Sequence, residues 1–165
     1  MSTVEPLVFP DLLYLEDYSG NYTDFFNAVY AIFESHFIKS HPVFQGIHVY
    51  AQKKPLVNGI NKTFHHITSE GEIEEERIPD IRRMERIRFP KFVIDKCPHN
   101  ELLIWKNKRG KDTRVLIFNE KEGYLVVLTE RKTFNLFWTA YYIEYKHQRK
   151  KYVKEYEDYI KTKTA

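Results

Sequence analysis

Cysteine is nearly absent from this chain, whose 165 residues include only Cys97. A single thiol excludes an internal disulfide framework and a zinc site built from several cysteines. It is typical of proteins that fold in a reducing compartment, so we expect a cytoplasmic location. No HExxH motif and no carboxylate-rich spacing accompanies the histidines, so we expect neither a metal nor another cofactor.

Long apolar runs are missing as well. No segment approaches the roughly 20 apolar residues that cross a membrane. Residues 1–20 lack the basic start and apolar run of a signal peptide. We therefore expect neither a membrane span nor a leader. Walker, GxGxxG and GxSxG motifs are also absent, which argues against P-loop ATP hydrolysis, dinucleotide chemistry and serine-hydrolase chemistry.

The composition is that of a folded domain. Hydrophobic residues make up 42% of the chain and aromatic residues 16%, which argues against disorder and predicts one domain over residues 1–165. The formal charge is +3, from 26 basic and 23 acidic residues. Basic residues cluster at 77–91 and 146–151, and acidic ones at 71–76. Segregated charge favours a polyanionic partner such as nucleic acid. The alternative is solvated helix faces, or pairing between the clusters.

The first hundred residues read as helices with one or two strands, because residues 43–52 fit either a short strand or a loop. We predict an irregular segment over 1–20 and a helix over 21–40, capped by Asn21 or Thr23. TFHHIT (63–68) has the β-branched and aromatic content of a strand. Residues 79–89 have helical spacing after a proline suited to a first turn. Residues 92–97 fit either another turn or an edge strand.

Four strand-like runs follow, at 101–110, 112–120, 123–131 and 134–144. Their short links predict antiparallel neighbours. Residues 144–161 then form a strongly charged amphipathic helix. The predicted fold class is α+β: a four- to five-stranded antiparallel meander sheet with helices packed on one face and a C-terminal charged helix.

The adjacent histidines His65 and His66 are candidates for general acid–base chemistry, because an imidazole titrates near neutral pH. Neighbours on a strand point to opposite faces, so the pair is poorly placed to bind one metal ion. The alternative is one hydrogen-bonded structural histidine and one exposed histidine.

Arginines and hydroxyls supply candidate phosphate ligands. Arginine binds phosphate through paired hydrogen bonds, and Arg82 and Arg86 share one helix face. Arg131 lies at a strand end. Strand alternation predicts that Thr139 and Tyr141 share one face and that Trp138 lies on the other, with Ala140 and Tyr142. The alternative for this last run is an aromatic core strand.

The order of these features resembles the phage and mobile-element branch of the nuclease superfamily that joins barnase, EndoU, colicin tRNases and RelE. A leading helix precedes a histidine-bearing strand, an arginine-rich helix, an antiparallel meander and a last strand with Thr-Ala-Tyr. The segments that carry the resemblance are TFHHI, RRMERI, YLVVLTER and WTAYYIEYKHQRKK. The resemblance implies a nuclease core over residues 62–161.

The resemblance implies a metal-independent endoribonuclease, in which the ribose 2′-hydroxyl attacks the adjacent phosphate. His65 or His66 would be the acid or base. Arg131, with Arg82 or Arg86, would stabilise the phosphate, and Thr139 and Tyr141 would position it or stack a base. Further RNA contacts would come from the helices, through Arg82, Arg83, Arg86, His147 and Lys150.

The implied partner is RNA, either tRNA or mRNA. A toxin or mobile-element effector of this kind would also meet an antitoxin or immunity protein. The alternative is a non-catalytic RNA-binding or protein-interaction module, and tyrosines along the last helix would suit a homodimer.

Overall fold

The structure, a computed structural model, describes residues 5–52, 56–57 and 59–164. Its α-helices are α1 (Tyr22–Phe33), α2 (Lys62–Thr68), α3 (Ile81–Glu85), α4 (Phe89–Lys96) and α5 (Lys146–Thr164). Its strands are β1 (Val43–Phe44), β2 (Ile47–Ala51), β3 (Ser69–Glu70), β4 (Ile78–Pro79), β5 (Leu103–Arg109), β6 (Asp112–Asn119), β7 (Tyr124–Glu130) and β8 (Asn135–Tyr142). The α+β class is confirmed. No helix among the described residues has the length and apolarity to cross a membrane.

The main sheet has six strands in the order β1-β2-β8-β7-β6-β5. The meander β5 to β8 is antiparallel throughout, which confirms the four predicted runs. The prediction of a purely antiparallel sheet with four or five strands is wrong, because β2 pairs with β8 in parallel. β3 and β4 form a separate two-stranded sheet.

The sheet is covered on both sides. Its first face carries Val126 and packs against α1, α2 and α4 in a core that includes Phe25, Phe64 and Val93. Its second face carries Trp105 and Phe118, against which the tyrosines of α5 pack. The prediction that helices pack on one face is therefore wrong: the charged C-terminal helix covers part of the other.

The helix α1 begins where its cap was predicted. The Asn21 side chain accepts a hydrogen bond from Asp24 N at 3.0 Å, which pairs one of the free N–H groups at the start of the helix. Phe25, Val29 and Phe33 recur at four-residue spacing and are fully buried. A π-helical turn, Glu34–Ile38, continues the helix towards Lys39.

The TFHHIT segment is the helix α2, so its prediction as a strand is wrong. The Asn61 side chain accepts a hydrogen bond from Phe64 N at 3.1 Å and so caps the helix. The helix lies beside β8 at the point where β2 ends, since β2 pairs only with residues 135–137. The Thr63 hydroxyl donates to Phe137 O there, at 3.1 Å.

The arginine-rich segment is shorter than predicted. Pro79 lies in β4, and Asp80 caps α3 by accepting from Arg83 N at 3.1 Å. The next helix, α4, has Pro90 in its first turn, where a missing N–H leaves no bond unmade. Residues 92–96 therefore belong to a helix, which overturns the prediction of a turn or an edge strand.

Candidate functional site

A β-bulge in β8 decides which side chains meet on the second face. Leu128 pairs with Phe137 whereas Val127 pairs with Thr139, so Trp138 is an extra residue on the β8 side. Such a bulge breaks the alternation of faces. Phe137 packs in the first core, and Trp138 and Tyr141 pack against the second. The prediction that Trp138 opposes Thr139 and Tyr141 is therefore wrong.

The second face carries a cleft of about 570 Å³ between the sheet and α5. Strands β5 to β8 all contribute to its sheet side, and the first half of α5 contributes the opposite side. Its polar and aromatic lining comprises Arg83, Asn107, Arg109, Arg114, Thr139, Tyr141, Tyr142, Gln148, Lys151, Tyr152 and Glu155.

Positive charge dominates this cleft. Four cationic side chains and one carboxylate, Glu155, line it, so the lining has a formal charge of 4 − 1 = +3. Glu155 accepts hydrogen bonds from Trp105 Nε1 at 2.5 Å and from Asn107 Nδ2 at 3.3 Å. Within the described part of the chain, no acidic side chain forms an ion pair with Arg109, Arg114 or Lys151.

Arg114 lies on the sheet side of the cleft. It projects from the middle of the meander, between Asn107 of β5 and Thr129 of β7. Its guanidinium lies 5.1 Å from the Trp138 ring centroid, a cation–π distance. Arginine stacked in this way keeps its N–H edges available for an anion.

Arg83 closes one end of the cleft from α3. Its Nη1 donates to Ser69 O at 2.7 Å, and its Nε lies 3.2 Å from Asp80 Oδ2, without hydrogen-bond alignment. The guanidinium also stacks on the Tyr141 ring at 5.0 Å. Arg83 therefore fixes the position of Tyr141, and Thr139 lies buried beside them.

The two histidines do not line the cleft. His65 is 8% exposed and donates from Nε2 to Glu74 O at 2.8 Å. His66 Nε2 lies 2.5 Å from Glu74 Oε1, and its ring meets Trp138 edge-on at 5.7 Å. His65 is thus a hydrogen-bonded structural histidine. His66 is one side chain away from the cleft, behind the indole on which Arg114 stacks.

His66 should make stability sensitive to mild acid. Burial lowers the pKa of His66 below its ordinary value of 6.5, although Glu74 opposes the shift. Around this pH the unfolded chain binds more protons than the folded chain. The contribution of His66 to the free energy of unfolding is therefore fully present above about pH 6.5 and is lost as the pH falls below that value.

Urea unfolding at pH 7.5 and pH 5.5 checks this expectation. His66→Gln keeps a donor for Glu74 and removes the titration, so its stability should change less between the two pH values. His36 shares the lowered pKa, through burial, and remains in both proteins. The exposed His48→Gln is the control. An identical loss in wild type and His66→Gln would contradict the expectation.

The other predicted site residues lie outside the cleft. Arg131, at the turn between β7 and β8, is 3.4 Å from Asp112. Arg82 pairs with Glu144, and Arg86 stacks on Tyr142 at 3.6 Å and pairs with Glu85. On α5, His147 stacks on Tyr145 and Lys150 pairs with Glu120 at 2.9 Å.

Three of the predicted site residues do meet in the cleft: Arg83, Thr139 and Tyr141. Neither histidine lies there, and neither does Arg131.

Sequence reasoning missed most of the cleft. Asn107, Arg109, Arg114, Lys151, Tyr152 and Glu155 were not among the predicted site residues. The sequence did contain one signal. Trp105, Asn107 and Arg109 occupy alternate positions of one strand, so that a sheet face with an aromatic residue followed by two polar ones could have been predicted. The position of Arg114 opposite Asn107 required the strand register.

Comparison with protein-family models, with curated protein sequences and with solved structures finds no significant match to this chain. Among the described residues, no three side chains of His, Cys, Asp and Glu are grouped closely enough to hold a metal ion. A functional assignment therefore depends on the cleft residues themselves.

Proposed function

We propose that the cleft between the meander and α5 binds RNA through its phosphate groups. The observation that carries the proposal is the set of three cations, Arg109, Arg114 and Lys151, that converge there without an acidic partner among the described residues. Exposed cations such as Arg109 and Lys151 often lack partners. The strongest evidence for an anion site is therefore Arg114, which is half-buried against the sheet. A buried cation is costly unless an anion balances it.

The aromatic side chains of the cleft support a nucleic acid over a simple anion. Tyr141 and Tyr152 both line it and are half-buried. A groove that combines backbone-tracking cations with aromatic rings is the usual way to hold single-stranded nucleic acid. Thr139 adds a hydroxyl that can donate to a phosphate oxygen.

Binding of a fluorescent single-stranded RNA, followed by anisotropy, tests the proposal. We expect Arg114→Gln to weaken binding about tenfold, because a cation contact desolvated against the sheet is lost. Arg88→Gln is the matched control: its guanidinium is also half-buried, but it lies at the start of α4 on the other face of the sheet and donates to Asp11 O at 3.1 Å, so affinity should stay within about twofold. Equal affinities of the two variants would refute the proposal.

Salt dependence supplies a second measurement on the same complex. Each phosphate that a cation neutralises contributes about 0.7 to the slope of log affinity against log salt for single strands. A variant with Arg109, Arg114 and Lys151 all changed to Gln should therefore lose roughly 2 units of slope. An unchanged slope would mean that the RNA binds elsewhere on the surface.

Metal-independent RNA cleavage in the same cleft is the second candidate function. The observation that favours it is the His66–Glu74 pair behind Trp138, where burial lowers the pKa of His66 and favours the neutral imidazole that a general base needs. The resemblance to metal-independent nucleases supports it as well. In that reaction the Trp138 side chain would first turn aside, and His66 would then accept the ribose 2′-hydroxyl proton at Nδ1, because its Nε2 donates to Glu74. The 2′-oxygen would attack phosphorus as the bond from phosphorus to the 5′-oxygen breaks, and the leaving 5′-oxygen would take a proton from solvent, producing a 2′,3′-cyclic phosphate.

Incubation of the protein with tRNA and mRNA in EDTA distinguishes cleavage from binding. Cyclic phosphate ends that disappear in His66→Gln, while RNA affinity persists, would support cleavage. Intact RNA under conditions of saturated binding would leave the cleft as a binding site only.

A further inference from the structure

Asn107 gives the cleft a neutral hydrogen-bonding group whose orientation is fixed. Its Nδ2 donates to Glu155 Oε2 at 3.3 Å. A carboxylate only accepts hydrogen bonds, so the amide nitrogen must face Glu155 and the amide oxygen must face the other way. No described residue hydrogen-bonds to Asn107 Oδ1, which is a buried acceptor.

Arg114 presents the complementary group on the next strand. Asn107 and Arg114 are direct cross-strand partners between β5 and β6. Arg114 Nε is likewise buried without a hydrogen-bond partner among the described residues. The two side chains therefore offer one acceptor and one donor, side by side, at the sheet side of the cleft.

A phosphodiester cannot complete this pair. It carries acceptor oxygens, which suit Arg114, but it has no N–H or O–H group for Asn107 Oδ1. A nucleotide has both, because its base and its ribose 2′-hydroxyl supply donors beside the phosphate. The cleft volume of about 570 Å³ falls within the ordinary range for small-molecule sites.

We infer that the cleft receives an unpaired nucleotide, and that Asn107 Oδ1 accepts a hydrogen bond from the base or the ribose of that nucleotide. This inference rests on the proposed function. Asn107 Oδ1 and Arg114 Nε are both buried in the empty cleft, so a small rotation of each side chain is needed before a group that enters the cleft can bond to them. In a duplex the bases are held in the stack and the phosphates lie outermost, whereas a single strand can turn a nucleotide outward. Asn107 is thereby a specificity residue, distinct from the cations that hold phosphate.

Competition binding against a labelled single-stranded RNA tests the inference. The competitors are the same 20-nucleotide strand, its perfectly paired duplex and an inorganic polyphosphate of similar length. We expect the single strand to compete at least tenfold better than the other two. Asn107→Ala should reduce single-strand affinity roughly tenfold and leave polyphosphate affinity unchanged, which also shows that the cleft is intact. The exposed Asn100→Ala is the matched control.

The outcomes separate the two claims. If the wild type binds no polyanion, the proposed function fails and this inference fails with it. If all three competitors bind equally and Asn107→Ala matches Asn100→Ala, only this inference fails. A DNA strand of the same sequence locates the donor: an Asn107 effect that persists with DNA assigns it to the base, and an effect that disappears assigns it to the 2′-hydroxyl.

Discussion

Replacing Gly123 with alanine should destabilise the protein by roughly 2–5 kcal/mol, the sum of a left-handed backbone penalty and an overpacking penalty. Gly123 has a φ of +67° at the turn before β7. A Cβ there would overlap the Ile143 carbonyl oxygen and the Arg149 guanidinium. The Ile143 backbone cannot move away without losing a hydrogen bond, because Ile143 N donates to Gly123 O at 2.7 Å.

The clash lies where α5 is attached to the sheet. Arg149 donates from Nε to Ile143 O at 2.6 Å and from Nη1 to Lys121 O at 3.0 Å. Displacing Arg149 would release the start of α5, which carries Lys151 and Tyr152 of the cleft. If the cleft binds RNA as proposed, Gly123→Ala should lose RNA affinity as well as stability.

Gly110→Ala is the matched control for this prediction. Gly110 also has a positive φ, of +59°, but a Cβ there meets nothing within 4 Å. It should show only the backbone penalty, about 1–2 kcal/mol. Urea unfolding followed by tryptophan fluorescence measures both variants. Equal losses of stability would show that the overlap with Ile143 and Arg149 is relieved at no cost.

The meander was predictable because its information is local. Each strand between Leu103 and Tyr142 is followed by its neighbour after a short turn, so alternation and turn residues determine the pairing. The parallel contact of β2 with β8 joins residues more than 80 positions apart. No local pattern marks such a pairing, and so the parallel pairing that extends the sheet to six strands was not predicted.

The bulge explains the error in the site itself. Strict alternation places Trp138 and Thr139 on opposite faces, but one extra residue puts them on the same side. This shift brings Trp138 under Arg114 and beside His66. The cleft therefore depends on an irregularity that residue-by-residue alternation cannot express.

The misassigned segment TFHHIT shows how a capping signal competes with residue preference. Thr63, Phe64 and Ile67 favour a strand by type. Their spacing, with Asn61 two residues earlier, also fits a short helix whose buried side repeats at i, i+1 and i+4. Packing decides between the two, because Phe64 of this helix packs against the aromatic side chains of α1.

Phe64→Ala should accordingly be among the most damaging substitutions, with a loss of about 3–5 kcal/mol, the usual range for a buried phenylalanine. The Phe64 ring is fully buried. It meets Phe26 and Tyr30 edge-on, at 5.5 and 5.0 Å, and Phe33 at 5.2 Å. Alanine would leave a cavity between α1 and α2 that the ends of both helices, held by their caps, cannot close.

Phe134→Ala provides the comparison, because Phe134 is half-buried and meets Tyr50 at 5.5 Å. Chemical unfolding should give it a clearly smaller loss than Phe64→Ala, since less apolar area is exposed and solvent fills the gap. Because α2 also holds Lys62 and His66 against Trp138, loosening it should change the near-UV circular dichroism of tryptophan in Phe64→Ala alone. Equal stability losses in the two variants would contradict the position of α2 in the core, and with it the placement of His66 behind the cleft.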